Sequence, residues 1–116
     1  MKKIRFTAHE LLLLRGVVGM SSPRNLADMV HCHKIFEWMD FSDEEKSSID
    51  WVETRSPDGS SRIQFNGDAE VDRECDDARC RKIVGIVEVM APMLRVDAWP
   101  TLMKTLLKLG WSQEDA

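Results

Sequence analysis

The sequence predicts an α+β fold that is mainly helical, with about five helices around one core and a small antiparallel β-hairpin in the middle third. Three observations carry this. Apolar residues recur at three- and four-residue spacings in both outer thirds, as in Leu26, Met29, Val30, His33 and Phe36. Between residues 49 and 65 that period gives way to Trp51, Val52, Thr54, Ile63 and Phe65 around the turn-forming run Ser56-Pro57-Asp58-Gly59. The 116 residues, 43% of them apolar and 31% charged, suit one core and one compact domain, with residues 112–116 as a frayed tail.

The first helix opens on a capping box, Thr7 with Glu10, flanked by Phe6 and Leu11 at the staple positions, and runs from Thr7 to about Gly19. A second helix is predicted from Pro23, with Ser22 as its cap and an apolar face through Leu26, Met29, Val30, His33 and Phe36 as far as Met39. Ser42 and Glu45 form a second capping box that opens a short acidic helix. Strands follow near residues 49–55 and 61–65, with a third short strand around Val71, and Asn66-Gly67 marks a turn. Asp76 or Asp77 caps a fourth helix. Ile83 to Met90 is rich enough in β-branched residues that a buried strand is the alternative, but its length favours a helix at the centre of the core, with Gly85 permitting close packing. The last helix has Asp97 as cap, Pro100 in its first turn and a Leu102, Met103, Leu106, Leu109 stripe. Gly110 ends it and lets Trp111 fold back on Leu106.

The formal charge of −4 is unevenly spread. Residues 42–80 hold twelve Asp and Glu against five Lys and Arg, a net of −7, while residues 1–41 carry +2 and residues 81–116 carry +1. A phosphate-binding surface needs the opposite sign. A winged-helix reading, with the third helix in a DNA groove, would bring Asp43, Glu44 and Glu45 against phosphates, so nucleic acid is an unfavoured partner. No apolar run approaches the roughly 18 residues of a membrane span, so no membrane association is expected. Lys2, Lys3 and Arg5 before Leu11–Leu14 faintly echo a signal peptide, but His9, Glu10 and Arg15 interrupt it. With three cysteines, Cys32, Cys75 and Cys80, that cannot all pair, the expectation is a mature cytoplasmic protein with free thiols.

His31-Cys32-His33 has zinc-binding residue types but not the spacing, because helical residues two apart diverge by about 200°. Cys75 and Cys80 likewise lack the Cys-x-x-Cys interval, so no metal and no cofactor is expected. Titratable groups abound, yet no phosphate loop or nucleophile elbow is present. Asp76-Asp77 suit a helix N-terminus, and alternating Glu70, Asp72 and Glu74 suit the wet face of a strand, so no catalytic residue is assigned and the chain reads as a non-enzyme.

The series Phe6-Thr7 before a Leu-rich helix, Asp40-Phe41-Ser42-Asp43-Glu44-Glu45, Ile49-Asp50-Trp51 and Ile63-Gln64-Phe65 resembles short proteins of bacteriophages and prophages. The resemblance spans most of the chain and implies a helical front half, a small extended middle and two closing helices. It implies no site residues. Trp99, Trp111 and the Ala98-Trp99-Pro100 start of the last helix depart from it.

Two functional expectations follow. The first is a small phage-type accessory protein acting by protein–protein interaction, with Asp43, Glu44, Glu70, Asp72, Glu74, Asp76 and Asp77 presenting an acidic surface to a basic host or viral partner. The second is a homo-oligomeric structural or assembly protein. Four tryptophans exceed what a small core requires, and Trp99 and Trp111 are the candidate interface.

Overall fold

The computed structural model describes residues 2–112, so most of the expected frayed tail, residues 113–116, lies outside the described residues. The order is β1 (Lys2–Thr7), α1 (Ala8–Gly19), α2 (Leu26–Trp38), α3 (Asp43–Ser48), β2 (Val52–Arg55), β3 (Ser61–Gln64), β4 (Glu70–Cys75), α4 (Asp77–Met90) and α5 (Trp99–Lys108). Two 3₁₀ turns, Ala91–Met93 and Val96–Ala98, link α4 to α5. The fold is α+β and mainly helical, with the predicted hairpin β2–β3 in the middle third.

The sequence reading misses the second sheet. Lys2-Lys3-Ile4-Arg5-Phe6-Thr7 is a strand, and it pairs antiparallel with β4, Phe6 opposite Val71 and Arg5 opposite Asp72. The third strand predicted near Val71 therefore exists, but it joins β1 and not the hairpin. Alternation sorts this ribbon: Ile4, Phe6, Val71 and Cys75 are buried while Lys3, Arg5, Glu70, Asp72 and Glu74 face solvent. β1 runs directly into α1 through the Thr7–Glu10 capping box, and β4 runs into α4 through Asp76, whose side chain accepts from the Arg79 N–H. Both helices thus leave the same ribbon, and their apolar faces (Leu11, Leu14, Val17, Val18 on α1; Ile83, Ile86, Val87, Met90 on α4) close over its inner side.

The region Ile83–Met90 is helical, as its length favours, though it is not buried all round, since Val89 is exposed. A Cβ on Gly85 would meet open space, which removes the expected close-packing role. Gly19 is the glycine that does permit close approach: a Cβ there would lie 3.0 Å from the Phe36 ring.

α2 differs most from expectation. It begins at Leu26, not Pro23, because the Asn25 side chain accepts from the Asp28 N–H while Asp28 accepts from the Arg24 N–H. These bonds fix Asn25, not Ser22, as the cap. Its buried residues are Cys32 and Ile35, continued by Met39, whereas Leu26 (84% exposed), Met29 (51%) and Val30 (55%) face outward. Two apolar stripes compete on this helix, and the inward one is selected by an ion pair between Asp28 and Lys82 of α4 and by Arg15, whose guanidinium lies 3.9 Å over the Phe36 ring. The first hairpin strand starts at Val52, because α3 continues to Ser48 and Asp50 turns with φ of 58°. All eight strand residues of the hairpin are exposed. Its base is braced by Trp51, whose ring centroid is 5.6 Å from Phe41 and 5.7 Å from Phe65. The last helix is capped at Ala98, since Asp97 sits within the preceding 3₁₀ turn and pairs with Arg95 at 3.0 Å. Pro100 occupies the first turn, and Gly110, with φ of 97°, reverses the chain so that the Trp111 N–H reaches the Leu106 carbonyl at 3.1 Å.

Among the described residues, three of the charged ties that join elements distant in sequence have both side chains largely shielded from solvent. Arg73, its side chain only 10% exposed, clamps both oxygens of Glu45 at 2.5 and 2.9 Å and donates to the Trp38 and Asp40 carbonyls at 3.0 and 2.8 Å. Glu10, buried, accepts from Lys108 of α5 and from the Thr7 N–H. Asp28 and Lys82 form the third. For both Glu10 and Glu45 burial pushes the carboxyl up. The Lys108 contact and the Thr7 N–H at Glu10, and the Arg73 contact and the Ser42 N–H at Glu45, outweigh it and hold both carboxyls below the ordinary value.

Two expectations follow. Ile35→Ala should cost about 2–5 kcal/mol by leaving a cavity, and Val30→Ser on the outward stripe should stay within about 0.5 kcal/mol, as read from urea unfolding. Because Glu10 and Glu45 ionise more readily folded than unfolded, the unfolded chain binds more protons in acid. Their stabilisation is complete above the unfolded carboxylate value of about 4.3 and is lost as pH falls through the folded values. Urea midpoints measured between neutral pH and roughly pH 3 should fall, and Glu10→Gln should flatten that slope while lowering the neutral midpoint.

Candidate functional site

The acidic residues do not converge. Glu70, Asp72 and Glu74 share the outer face of β4, but β1 sets cations beside them: Arg5 lies 3.1 Å from Asp72 and 3.4 Å from Glu70, and Lys3 lies 3.5 Å from Asp72. The hydrogen bond from Arg5, with the nearby charges of Arg5 and Lys3, holds the Asp72 carboxyl below its usual range. Asp76 is occupied as the α4 cap, and Asp77 stands in the first turn of that helix. Asp43 and Glu44 lie in the first turn of α3, which the Glu45–Arg73 clamp attaches to the opposite side of β4 from Asp72. Among the described residues, Asp43, Glu44, Glu74 and Asp77 have no ion-pair partner.

Trp99 and Trp111, by contrast, are brought together. Leu106 receives the Trp111 backbone after the Gly110 reversal, and the two indoles meet edge to face with centroids 5.8 Å apart. They form one wall of a concave groove of about 530 Å³. Val87 of α4, Leu94 and Val96 of the linking turns, and Leu102 and Leu106 of α5 complete its apolar lining. Glu88 and Arg95 are the charged residues at the groove. Trp99 remains 41% exposed and Val96 89%. A concave, apolar surface with a few polar groups at its margin is the ordinary chemistry of a ligand or partner site. It offers no converging acid, base or nucleophile.

The tryptophans were legible as interface candidates from their number, but the other walls were not. Val87 belongs to a helix read as wholly core, and Leu94 and Val96 to a stretch with no period of either type. The signal available was Pro92 and Pro100 bracketing an apolar segment too short for a helix, which marks a tight connection. Trp38 and Trp51 are structural. The Trp38 N–H donates to the Glu74 carbonyl at 3.0 Å, and its ring meets Phe6 edge to face at 6.5 Å. Elsewhere Cys32 is buried, and the His33 ring nitrogen lies 3.0 Å from Glu37. Among the described residues no helix is long and apolar enough to cross a membrane.

The groove should take up an apolar fluorescent dye such as anilinonaphthalene sulfonate in the native state, with energy transfer from Trp99 and Trp111. Val96→Asp should lower the dye signal about fivefold, consistent with the loss of about 1 kcal/mol from placing a carboxylate on an apolar wall, without shifting the melting temperature. The chain matches no protein-family model, no curated protein and no solved structure.

Proposed function

We propose that this is a small cytoplasmic accessory protein, of the phage type its sequence resembles, that acts by binding another protein and carries out no chemistry of its own. The observation that supports this reading is the Trp99–Trp111 groove, a preformed apolar concavity on a chain in which Glu10, Glu45, Asp72 and Asp76 are engaged in capping or ion pairs. Aromatic residues in such a setting are the usual anchors of a protein interface. The occupant is an apolar side chain or helix ridge of the partner, inserted between Trp99 and Val96, with Glu88 and Arg95 orienting it. The acid-rich strand plays the lesser part, since Glu70 and Asp72 already have Arg5 and Lys3 beside them. Asp43, Glu44, Glu74 and Asp77 remain available to steer a basic partner at long range.

One observation favours self-association as a second reading. The outward α2 stripe of Leu26, Met29 and Val30 is itself an apolar helix ridge, so one copy could insert it into the groove of the next, a head-to-tail contact that extends or closes into a ring.

Capture from a host lysate with the unaltered protein and three variants separates these readings. Val96→Asp should weaken retention of a specific partner by about tenfold or more, while Asp43→Lys with Glu44→Lys should retain it with altered salt dependence. Loss of the partner from the lysine variant alone would move the function to the acidic residues. Recovery of only the protein itself, in a multimer abolished by Val96→Asp and by Val30→Asp, would establish self-association. Equal capture by all four forms would overturn both surfaces.

A further inference from the structure

β4 ends at Cys75 and α4 begins two residues later, so six residues, 75–80, contain the whole reversal from strand to helix. Asp76 fixes that reversal by accepting from the Arg79 N–H at 2.7 Å. The fourth residue of the helix, Cys80, is thereby turned back over the strand end. Its Sγ lies 3.1 Å from the Cys75 Sγ, and both thiols are buried. The Cys80 S–H donates to the Cys75 sulfur, and the Cys75 S–H donates to the Asp76 carbonyl at 3.4 Å. Sulfur–sulfur bonds are about 2.05 Å long, so an approach of roughly 1 Å separates this pair from a bond. The third thiol, Cys32, sits on α2 and is buried there.

We propose that Cys75 and Cys80 are a reversible dithiol–disulfide site, oxidised by low-molecular-weight disulfides of the glutathione class. The Cys80 thiolate attacks one sulfur of oxidised glutathione, forms a mixed disulfide and expels one glutathione thiolate. The Cys75 thiolate then attacks the Cys80 sulfur, closes the Cys75–Cys80 bond and expels the second. The protein pair gives up two electrons and two protons, and oxidised glutathione becomes two molecules of the thiol. Cys80 attacks first because it stands in the opening turn of α4, whose fraying brings its sulfur to solvent, whereas Cys75 is held fully buried at the end of β4. Burial and the adjacent Cys80 push the Cys75 thiol up to about 12, which keeps it protonated until the mixed disulfide opens the junction. Burial of both sulfurs makes the step slow in the native state and dependent on fraying of the first turn of α4.

The full chain, incubated folded in glutathione buffers from fully reduced to fully oxidised, alkylated and digested with trypsin, provides the test. Cleavage after Arg73, Arg79 and Arg81 puts the two cysteines on separate peptides, 74–79 and 80–81. The expected result is that these two appear joined in oxidised buffer, about 2 Da lighter than their sum, with Cys32 alkylated, and that excess reduced glutathione separates them. Asp76→Ala, which loosens the cap, should speed bridging severalfold, and Cys75→Ser should stop at a glutathione adduct on Cys80. Alkylation of both residues in oxidised buffer, bridging that occurs only in denaturant, or pairing with Cys32 or with a second chain would each overturn the proposal. The wild-type digest decides the question even if the serine variant fails to fold.

Discussion

The pairing of β1 with β4 is the constraint on which the remaining architecture depends. It joins residues 2–7 to residues 70–75, and each strand passes without a loop into a helix, β1 into α1 and β4 into α4. The direction of both helices is therefore set by one two-stranded ribbon. Such a ribbon is marginal in water by itself. Here its inner face, Ile4, Phe6, Val71 and Cys75, is covered by the helices it launches, so ribbon and helices stabilise each other and neither is expected to persist alone. The outer face needs no cover, because Lys3 and Arg5 alternate with Ile4 and Phe6 just as Asp72 and Glu74 alternate with Val71 and Cys75. Cross-strand charge of opposite sign also fixes the register, since a one-residue slip would bury the charged residues of both strands.

Around this ribbon, the helices are located by charged ties placed where apolar packing is least selective. α3 is six residues long and has no buried residue, so hydrophobic burial cannot hold it. Arg73 does so instead, by clamping the same Glu45 that completes the α3 capping box and by satisfying the carbonyls of Trp38 and Asp40 at the end of α2. Glu10 plays the corresponding part between α1 and α5: its carboxylate closes one capping box and receives Lys108 from the far end of the chain. In both cases a carboxylate already positioned by its own helix start accepts a second, distant cation. Desolvation of each ion is offset by several hydrogen bonds, so the pairs act mainly to select one arrangement among similar packings.

Local chemistry was legible in the sequence and long-range pairing was not. The capping boxes at Thr7 and Ser42, the Asp76 cap, the Pro57-Asp58-Gly59 turn and the left-handed Gly110 depend on interactions within a few residues, and each appears where the sequence places it. β1 shows the alternation Lys3-Ile4-Arg5-Phe6, but Phe6 also fits the staple position of the α1 capping box, and its partner strand lies more than sixty positions away. α2 was misread for a different reason. Leu26-Met29-Val30 and Cys32-Ile35-Met39 both satisfy a helical period, and only the Asp28–Lys82 pair and the Arg15–Phe36 contact, neither visible locally, decide which faces inward. The groove shows the same division. Trp99 and Trp111 were identifiable as surplus aromatics, but a concavity needs walls from α4, the linking turns and α5 together.

The distribution of apolar surface then separates packing from recognition. Single exposed apolar residues such as Val52, Ile63 and Leu107 are ordinary on a small domain and require no functional account. Trp99 and Val96 differ because they are exposed on the rim of a concavity whose floor, Leu102 and Leu106, belongs to the core. The segment from Ala91 to Ala98 that lines it is shaped by two 3₁₀ turns, with Pro92 at the start of the first and Pro100 at the start of α5. α4 spans the molecule between this groove and the thiol pair, with Cys80 near its start and Val87 and Glu88 near its end, a separation of about 11 Å along the axis. Ile83 and Ile86 are locked in the core between them, and Lys82 is tied to Asp28. The thiol pair and the groove are therefore two features of one helix, joined through the packed side chains between them.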